Sequence, residues 1–288
     1  MHTAVLKRQS AAPGPRRRWR HGDSTIAGGS IAAFPACRSC ARSYMPVQSI
    51  DLGKLKSALR GKCPASCWDG VKGRPMGVWS TPRVAASADA RSLSEPPTLD
   101  REGFALEKHR TSVADFYDPA AVEQVYYAEI AELLRRATGA EEVHVFDHTL
   151  RVEDEAKRRV HGTRLLVTVV HNDYTERSAL QRVRDVLAPE TAERLLAGRF
   201  AIVNVWRSFG ASPERFPLAV ADGRTVLQTD YVTVDLVYPD RTGEVCYTAH
   251  SSGQRWFYFS RMQPNEAMLF KCFDSARDGR TRYTIAVP

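Results

Sequence analysis

The chain has 288 residues, of which 43% are apolar and 26% are charged, so it is long and apolar enough to bury a sizeable core. Its formal net charge is +8, but residues 1–95 carry +11 and residues 96–288 carry −3. A folded basic surface for nucleic acid is therefore not expected in the larger part of the chain. The sequence has no run of 18 apolar residues, no signal-peptide core and only six cysteines, which predicts a cytoplasmic protein with no membrane span.

The first third, residues 1–85, is predicted to be a basic, disordered segment. It is rich in Arg, Ser, Pro and Gly, and its apolar residues follow neither a helical nor a strand period for long. Two alternatives are a mitochondrial transit peptide in residues 1–50 and a nucleic-acid-binding arm at residues 16–20. A third is a zinc site formed by two cysteine pairs, and a fourth is that the segment is not a genuine part of the protein. The cysteines of those pairs are Cys37, Cys40, Cys63 and Cys67.

Residues 86–288 are predicted to form one domain, mainly β with flanking helices. Asp118 is a helix cap, Pro119 suits the first helical position and Gly139 ends the helix. Two more helices are predicted, followed by a series of short strands separated by Gly-containing turns, which is typical of a sandwich, jelly roll or barrel. The helices are predicted at 175–187 and 190–197, and the strands at 143–146, 164–170, 200–206, 217–220, 231–238, 244–248, 255–260 and 267–273.

The candidate chemistry lies in the sequence His171-Asn172-Asp173, which follows an apolar run. Alternate side chains of an extended chain point to the same side, so the imidazole and the carboxylate are expected to converge. They would supply two of the three ligands of a 2-His-1-carboxylate iron site. The structural alternative is that Asp173 caps the helix predicted to begin near Thr175.

Four further polar residues are candidates for binding substrate or co-substrate. Tyr174 and Arg177 follow the His-Asn-Asp sequence directly, but both would also suit the start of a helix. Arg207 could hold a carboxylate through two parallel hydrogen bonds, and Asn204 lies three residues before it. For both, a structural role between strands is the alternative.

Several motifs occur in the same order as in a known family. The densest of them is VHNDYT at 170–175, and the others lie at 99–104, 115–117, 126–127, 138–140, 145–149, 204–207, 217–219, 255–259 and 269–275. Together they span nearly all of residues 96–288. The sequence resembles the non-haem iron hydroxylase/desaturase family, which includes gibberellin desaturase and cephalosporin 7-alpha-hydroxylase-like proteins.

This resemblance implies a double-stranded β-helix (jelly-roll) core that uses Fe(II) and 2-oxoglutarate. The implied reaction is hydroxylation or desaturation of an unactivated C–H bond in a small molecule, often in secondary metabolism. By position, His171 and Asp173 match the family's first two iron ligands. The cofactors would supply the oxidising chemistry, while the protein would orient the substrate.

One departure from the family pattern concerns the second ligand histidine. The family has a histidine and a later arginine after the motif at 269–275, whereas this chain continues through residues 280–288 without either. The chain therefore looks truncated relative to the family, and His250, in a predicted turn, is its only histidine after Asp173. We expect weakened iron binding and little or no oxygenase activity. The alternative is a non-catalytic jelly-roll protein that binds a small molecule.

Overall fold

A computed structural model of the protein describes residues 1–8, 87–165, 170–209, 217–237, 242–249, 251–279, 281 and 283–287. The strands of these parts of the chain are β1 (His2–Arg8), β2 (Ala88–Asp89), β3 (Phe104–Lys108), β4 (Glu142–His148), β5 (His171–Asn172), β6 (Arg199–Trp206), β7 (Ala219–Ala221), β8 (Tyr231–Val237), β9 (Thr242–Thr248), β10 (Trp256–Tyr258), β11 (Glu266–Asp274) and β12 (Ala286–Val287). They form a five-stranded sheet, ordered β3-β11-β6-β1-β4, and a seven-stranded sheet, ordered β2-β10-β7-β12-β5-β9-β8. The predicted mainly β fold with flanking helices is thereby confirmed.

Strand β6 separates two hydrophobic layers, because its side chains alternate between the faces of the five-stranded sheet. Phe200 and Ile202 pack with residues of the seven-stranded sheet such as Val220. Val203 and Val205 pack instead on the opposite face, against the helical layer. The first of these layers lies between the two sheets, and it is the side on which the candidate site is built.

The helical layer is dominated by one long helical segment. It begins with an α-turn at Pro119–Ala121, continues as a π-helix at Val122–Tyr126 and then as helix α1 at Tyr127–Thr138. The Asp118 carboxylate accepts a hydrogen bond from the Ala120 amide, and Gly139 ends α1 with a φ of 66°. Both predicted ends of this helix are confirmed. Its buried face consists of Val122, Tyr126, Ile130, Leu133 and Leu134.

Three shorter helices complete the described elements with 3-10 turns at Ala90–Ser92, Gly223–Thr225 and Gln228–Asp230. They are α2 (Glu155–His161), α3 (Glu176–Val186) and α4 (Pro189–Leu196), of which the last two were predicted. No helix in the described parts of the chain is long and apolar enough to span a membrane.

The prediction of disorder over residues 1–85 is wrong for residues 2–8, which form strand β1. This strand pairs antiparallel with both β4 and β6, and Ala4, Val5 and Leu6 are completely buried. A strand with neighbours on both sides needs only a short apolar run. The apolar run here is three residues long, and the polar composition of the residues after it led to the prediction of disorder. Residues 9–86, with the proposed zinc ligands, lie outside the described residues, as does His250.

Candidate functional site

The site is built at the end of β5, a two-residue strand in the seven-stranded sheet. In the antiparallel register, His171 is paired with Tyr247 of β9 on one side and with Ala286 of β12 on the other. The chain leaves the sheet immediately after Asn172. Asp173 is therefore outside the strand ladder, and its side chain reaches toward the other sheet.

Asn172, between the two candidate ligands, joins the two sheets. Its side chain is 3% exposed, and its Nδ2 donates to the carbonyl oxygen of Cys272 on β11 at 3.0 Å. Its Oδ1 accepts a hydrogen bond from the Tyr174 amide at 3.1 Å, which closes the turn after the strand. Both polar atoms of the Asn172 amide therefore have hydrogen-bond partners. Because these bonds hold Asn172 and Tyr174, the residues before and after Asp173, they also fix the position of Asp173 between the sheets.

The Asp173 carboxylate is held by one of its two oxygens. Asn204 of β6, which is completely buried, donates from Nδ2 to Asp173 Oδ2 at 2.7 Å, and the Cys272 thiol lies 3.8 Å from the same oxygen. Asn204 Oδ1 in turn accepts a hydrogen bond from Thr3 Oγ1 at 2.8 Å. The other oxygen, Oδ1, lies 3.4 Å from His171 Nε2. The result is an ordered chain, Thr3 to Asn204 to Asp173, that leaves Oδ1 directed at the histidine.

The electrostatics favour an ionised Asp173. Burial alone raises its pKa, but the hydrogen bond and charge of His171 and the Asn204 amide hold the pKa of Asp173 below its ordinary value. The side chains of His171 and Asp173 keep 19% and 30% exposure, so a small ligand can reach both. The predicted convergence of these two side chains is confirmed by their separation.

This pair fits an iron(II) ion as two of its three protein ligands, since imidazole and carboxylate are the donors of the 2-His-1-carboxylate class. A third donor is not supplied within the described residues, where no cluster of three or more His, Cys, Asp or Glu side chains occurs. The described residues therefore match such an iron site in the type and spacing of two of its three protein ligands.

Asp173 does not cap helix α3, which was the structural alternative to a role as a metal ligand. The cap of helix α3 is Thr175, whose Oγ1 accepts a hydrogen bond from the Ser178 amide at 3.0 Å. Thr175 also donates to Glu244 of β9 at 2.5 Å, which fixes the start of the helix on the seven-stranded sheet. The Asp173 carboxylate is therefore not used as the helix cap.

Of the four predicted binding residues, two lie at the site. Asn204 contacts Asp173 directly, and Tyr174 is close enough that burial, with the charge of Asp173, raises the pKa of its phenol. Arg177 is largely exposed and forms ion pairs with Glu244 at 2.5 Å and Asp235 at 3.5 Å.

Arg207 is not brought to the site. It follows the alternation of Val203 and Val205, so it lies on the helical side of the five-stranded sheet. There its Nη2 donates to His109 Nδ1 and to the His109 carbonyl oxygen, and its guanidinium lies 5.2 Å from the ring centre of Tyr126.

Several residues of the site were missed by sequence reasoning. Thr3 and Asn172 position Asp173, Cys272 contacts it, and the charge of Arg151 helps to lower its pKa. The alternation along β6 is the signal that could have separated Asn204 from Arg207. No local signal connects Thr3 with residue 204, because that contact depends on the pairing of β1 with β6.

Comparison with known proteins gives matches over most of the chain. A family model described as "YDMC: Oxidoreductase/YMDC permease-like domain" matches residues 70–286. The hydroxylase/desaturase CTB9 of Cercospora beticola is 34% identical over an alignment of 236 residues, which covers 75% of this chain and 72% of that protein. The Fe(II)/2-oxoglutarate-dependent dioxygenase nvfI of Aspergillus novofumigatus is 34% identical over an alignment of 204 residues, which covers 68% of this chain and 71% of that protein.

A solved structure has a similar fold. The iron and alpha-ketoglutarate-dependent endoperoxidase NvfI superposes with a TM-score of 0.60 at 28% sequence identity, covering 70% of this chain and 75% of that one. A variant of the same endoperoxidase gives a TM-score of 0.61 at 29% identity, with the same coverage of both chains. The similarity is therefore one of overall fold over 70% of this chain.

Proposed function

This chain belongs to the non-haem iron hydroxylase/desaturase family, and we propose that it is an Fe(II)- and 2-oxoglutarate-dependent oxidoreductase acting on a small molecule of secondary metabolism. The relatives named above are a hydroxylase/desaturase and an Fe(II)/2-oxoglutarate-dependent dioxygenase. The proposed reaction is hydroxylation or desaturation of an unactivated C–H bond. Bound iron and 2-oxoglutarate would supply the oxidising chemistry.

The observation that carries this proposal is the convergence of His171 and Asp173. Their Nε2 and Oδ1 atoms lie 3.4 Å apart, and the other Asp173 oxygen is already used by Asn204. A carboxylate whose second oxygen accepts a fixed hydrogen bond is limited to one oxygen for a metal. We propose these two side chains as iron ligands, with Asn204 as a positioning residue for Asp173.

The surrounding residues are proposed to shape the binding space next to this pair. Tyr174 presents a protonated phenol beside Asp173, since burial raises its pKa, and it can donate a hydrogen bond to substrate or co-substrate. Arg177 is exposed and already paired with two carboxylates, so a contact with a charged substrate requires it to leave Glu244. Arg207 lies on the other face of β6, and its predicted role in binding a co-substrate carboxylate stays a prediction.

We infer that the two described sheets are the halves of a double-stranded β-helix. Support comes from strand pairing that is antiparallel except between β2 and β10, from a hydrophobic layer between the sheets and from the proposed ligand pair at the end of a short strand. The iron site would then lie at the open end of a jelly roll, where substrate can enter.

The test combines iron content with co-substrate turnover. The purified protein would be loaded anaerobically with Fe(II), and iron per chain and succinate formed from 2-oxoglutarate in air would be measured for wild type, His171→Ala and His144→Ala. His144 lies on β4, at the edge of the other sheet, and serves as the control. We expect weak iron binding and low turnover that are lost in His171→Ala and kept in His144→Ala. Equal iron content in all three proteins would refute the proposed ligands.

A second candidate function is binding of a small molecule without catalysis. The observation in its favour is the lack of a third His, Cys, Asp or Glu donor beside the pair among the described residues. Under this alternative the protein would bind its ligand equally well with and without Fe(II) and would release no succinate. The same purified protein distinguishes the two functions.

A further inference from the structure

Met1 lies beside the proposed iron site and is held there by its backbone and its side chain. Its nitrogen donates to the carbonyl oxygen of Thr149 at 2.9 Å, and its carbonyl oxygen accepts a hydrogen bond from the Thr149 amide at 2.9 Å. Its side chain is half-buried and packs against the hydrophobic layer between the two sheets. The thioether is therefore fixed in place next to the end of β4.

The Met1 sulfur and the Asp173 carboxylate share one hydrogen-bond donor. Asn204 Nδ2 lies 3.4 Å from Met1 Sδ and 2.7 Å from Asp173 Oδ2, and an amide nitrogen has two hydrogens to donate. The sulfur atom and the carboxylate oxygen are thus both contacts of a single nitrogen atom. A metal bound to the other oxygen, Oδ1, would have this thioether among the side chains nearest to its ligands.

A thioether next to a redox-active metal is open to one specific reaction. Hydrogen peroxide converts methionine to its sulfoxide, which turns an apolar side chain into a polar one. The O–O bond breaks, one oxygen atom bonds to sulfur and the other leaves as water, and the two electrons lost by sulfur reduce the peroxide. The half-buried Met1 is accessible to this oxidant, whereas Met262 and Met268 are only 2% and 0% exposed.

We propose that Met1 is an oxidation site: hydrogen peroxide activated at a metal held by His171 and Asp173 converts the Met1 thioether to the sulfoxide. This inference rests on the proposed function. The thioether is a weak acceptor and the sulfoxide oxygen a stronger one, so the oxidised side chain competes for the Asn204 amide that orients Asp173. Oxidation of Met1 therefore weakens the metal site that promotes it.

The experiment measures methionine sulfoxide by peptide mass spectrometry after the full chain is given Fe(II) and a small excess of hydrogen peroxide. Positioning two reactants side by side raises their effective concentration, so Fe(II) should raise the sulfoxide fraction of Met1 by at least about 10-fold over peroxide alone. Zn(II), which has no redox chemistry, should give no rise. The rise should be lost in His171→Ala, kept in the control His144→Ala, and missing at Met262 and Met268.

Three results of this experiment would overturn the proposal. They are an equal rise in wild type and His171→Ala, a rise at Met1 no larger than at Met262, and no rise at Met1 in wild-type protein that binds Fe(II) through His171. The proposed function fails separately, if the iron content of wild type and His171→Ala is the same.

The effect on the metal site is measured by calorimetric titration with Co(II). Loss of an outer partner of a metal ligand weakens affinity by about 10–100-fold, so the protein oxidised in the presence of Fe(II), once the iron is removed, should bind Co(II) at least about 10-fold more weakly. Protein treated with peroxide alone, in which Met1 stays largely reduced, is the matched control. Equal affinity of the two samples would show that Met1 does not act on Asp173.

A second measurement detects the proximity of Met1 to the metal without any oxidation. In protein labelled for NMR at the methionine methyl groups, binding of the paramagnetic ion Co(II) should shift and broaden the Met1 resonance more than that of Met262. Zn(II) gives the diamagnetic reference, and the effect on Met1 should be absent from His171→Ala. An unperturbed Met1 resonance in wild-type protein that binds Co(II) would contradict the proposal.

Discussion

Two buried cations next to β6 differ in how completely they are paired. Lys271 of β11 is 1% exposed, and its Nζ donates to Asp274 at 2.9 Å, to Asp100 at 3.2 Å and to the carbonyl oxygen of Thr281 at 2.9 Å. All three N–H groups of the ammonium are therefore used. Asp274 also accepts two hydrogen bonds from Arg199, so each charged group of this cluster is paired with a group of opposite charge.

Arg207 is nearly as buried, at 6% exposure, but its partners are neutral. Its Nη2 is bonded to His109, whereas Nε and Nη1 have no acceptor among the described residues. Burial lowers the pKa of this guanidinium, and burial together with the charge of Arg207 lowers the pKa of His109. The Lys271 cluster therefore joins strands through direct ion pairs, whereas no direct ion pair of Arg207 occurs among the described residues, and the charge of Glu129 only partly opposes the effect of burial on its pKa.

The largest effect is expected from breaking the closed cluster with Asp274→Asn. The change leaves Lys271 and Arg199 as buried cations facing a neutral amide, and removal of one partner from a buried pair costs about 3–5 kcal/mol. The free energy of unfolding, measured by urea denaturation at pH 7, should fall by that amount. Glu141→Gln, an exposed carboxylate, is the control and should change little. A loss no larger than the control's would show that the cluster is not stabilising.

The pH dependence of the same pair of proteins has a defined sign. Burial raises the pKa of Asp274, but the hydrogen bonds and charges of Arg199 and Lys271 lower it by more than burial raises it. The pKa of Asp274 therefore lies below its ordinary value. A carboxyl with a depressed pKa stabilises the fold above its unfolded pKa of about 3.9 and loses that contribution as the pH falls through the folded value. The difference in unfolding free energy between wild type and Asp274→Asn should be constant above about pH 5 and shrink below about pH 4. A difference that grows on acidification would contradict this.

A smaller effect is expected at the chain of hydrogen bonds that ends at Asp173. Asn204→Leu removes the amide donor to Asp173 and leaves the buried Thr3 hydroxyl without its acceptor, at a cost of about 1–3 kcal/mol. Affinity for Co(II), a stable substitute for Fe(II), should fall by about 10–100-fold, because the carboxylate is no longer oriented. Thr3→Val is the graded control, since it removes one hydrogen bond at a distance from the metal and should cost about 1 kcal/mol. Unchanged metal affinity in Asn204→Leu would remove Asn204 from the site.

The smallest effect is expected for Arg207→Met. Replacing a buried, incompletely paired charge by an apolar side chain of similar length is often neutral or stabilising, so the free energy of unfolding should stay within about 1 kcal/mol of wild type or rise. Thermal and urea denaturation at pH 7 would measure it. A loss as large as that of Asp274→Asn would mean that Arg207 is balanced as well as Lys271 and would end the contrast between them.

Local signals predicted the fold best where a single segment carries the information. Asp118, Pro119 and Gly139 marked a helix that the structure confirms at both ends, and the pair of His171 and Asp173 was found from their spacing. Strand β1 could not be found that way, because its stability comes from two strands distant in sequence.

Within the site, sequence reasoning found the two proposed ligands and missed the residues that orient them. Asn204 was treated with Arg207 as a contact for substrate, although the two lie on opposite faces of one strand. Thr3 is 201 positions from Asn204, and only the pairing of β1 with β6 brings them together. The neighbour relation between His171 and Ala286 likewise depends on the register of β12.

The assignment of His171 and Asp173 as iron ligands is tested most directly by the visible charge-transfer absorption that forms when Fe(II) and 2-oxoglutarate bind together without oxygen. If His171 and Asp173 hold the iron, the absorption should develop with the wild-type protein at high Fe(II) concentration. It should be missing from His171→Ala and present in His144→Ala. Equal absorption in wild type and His171→Ala, or none in any folded variant, would contradict the account.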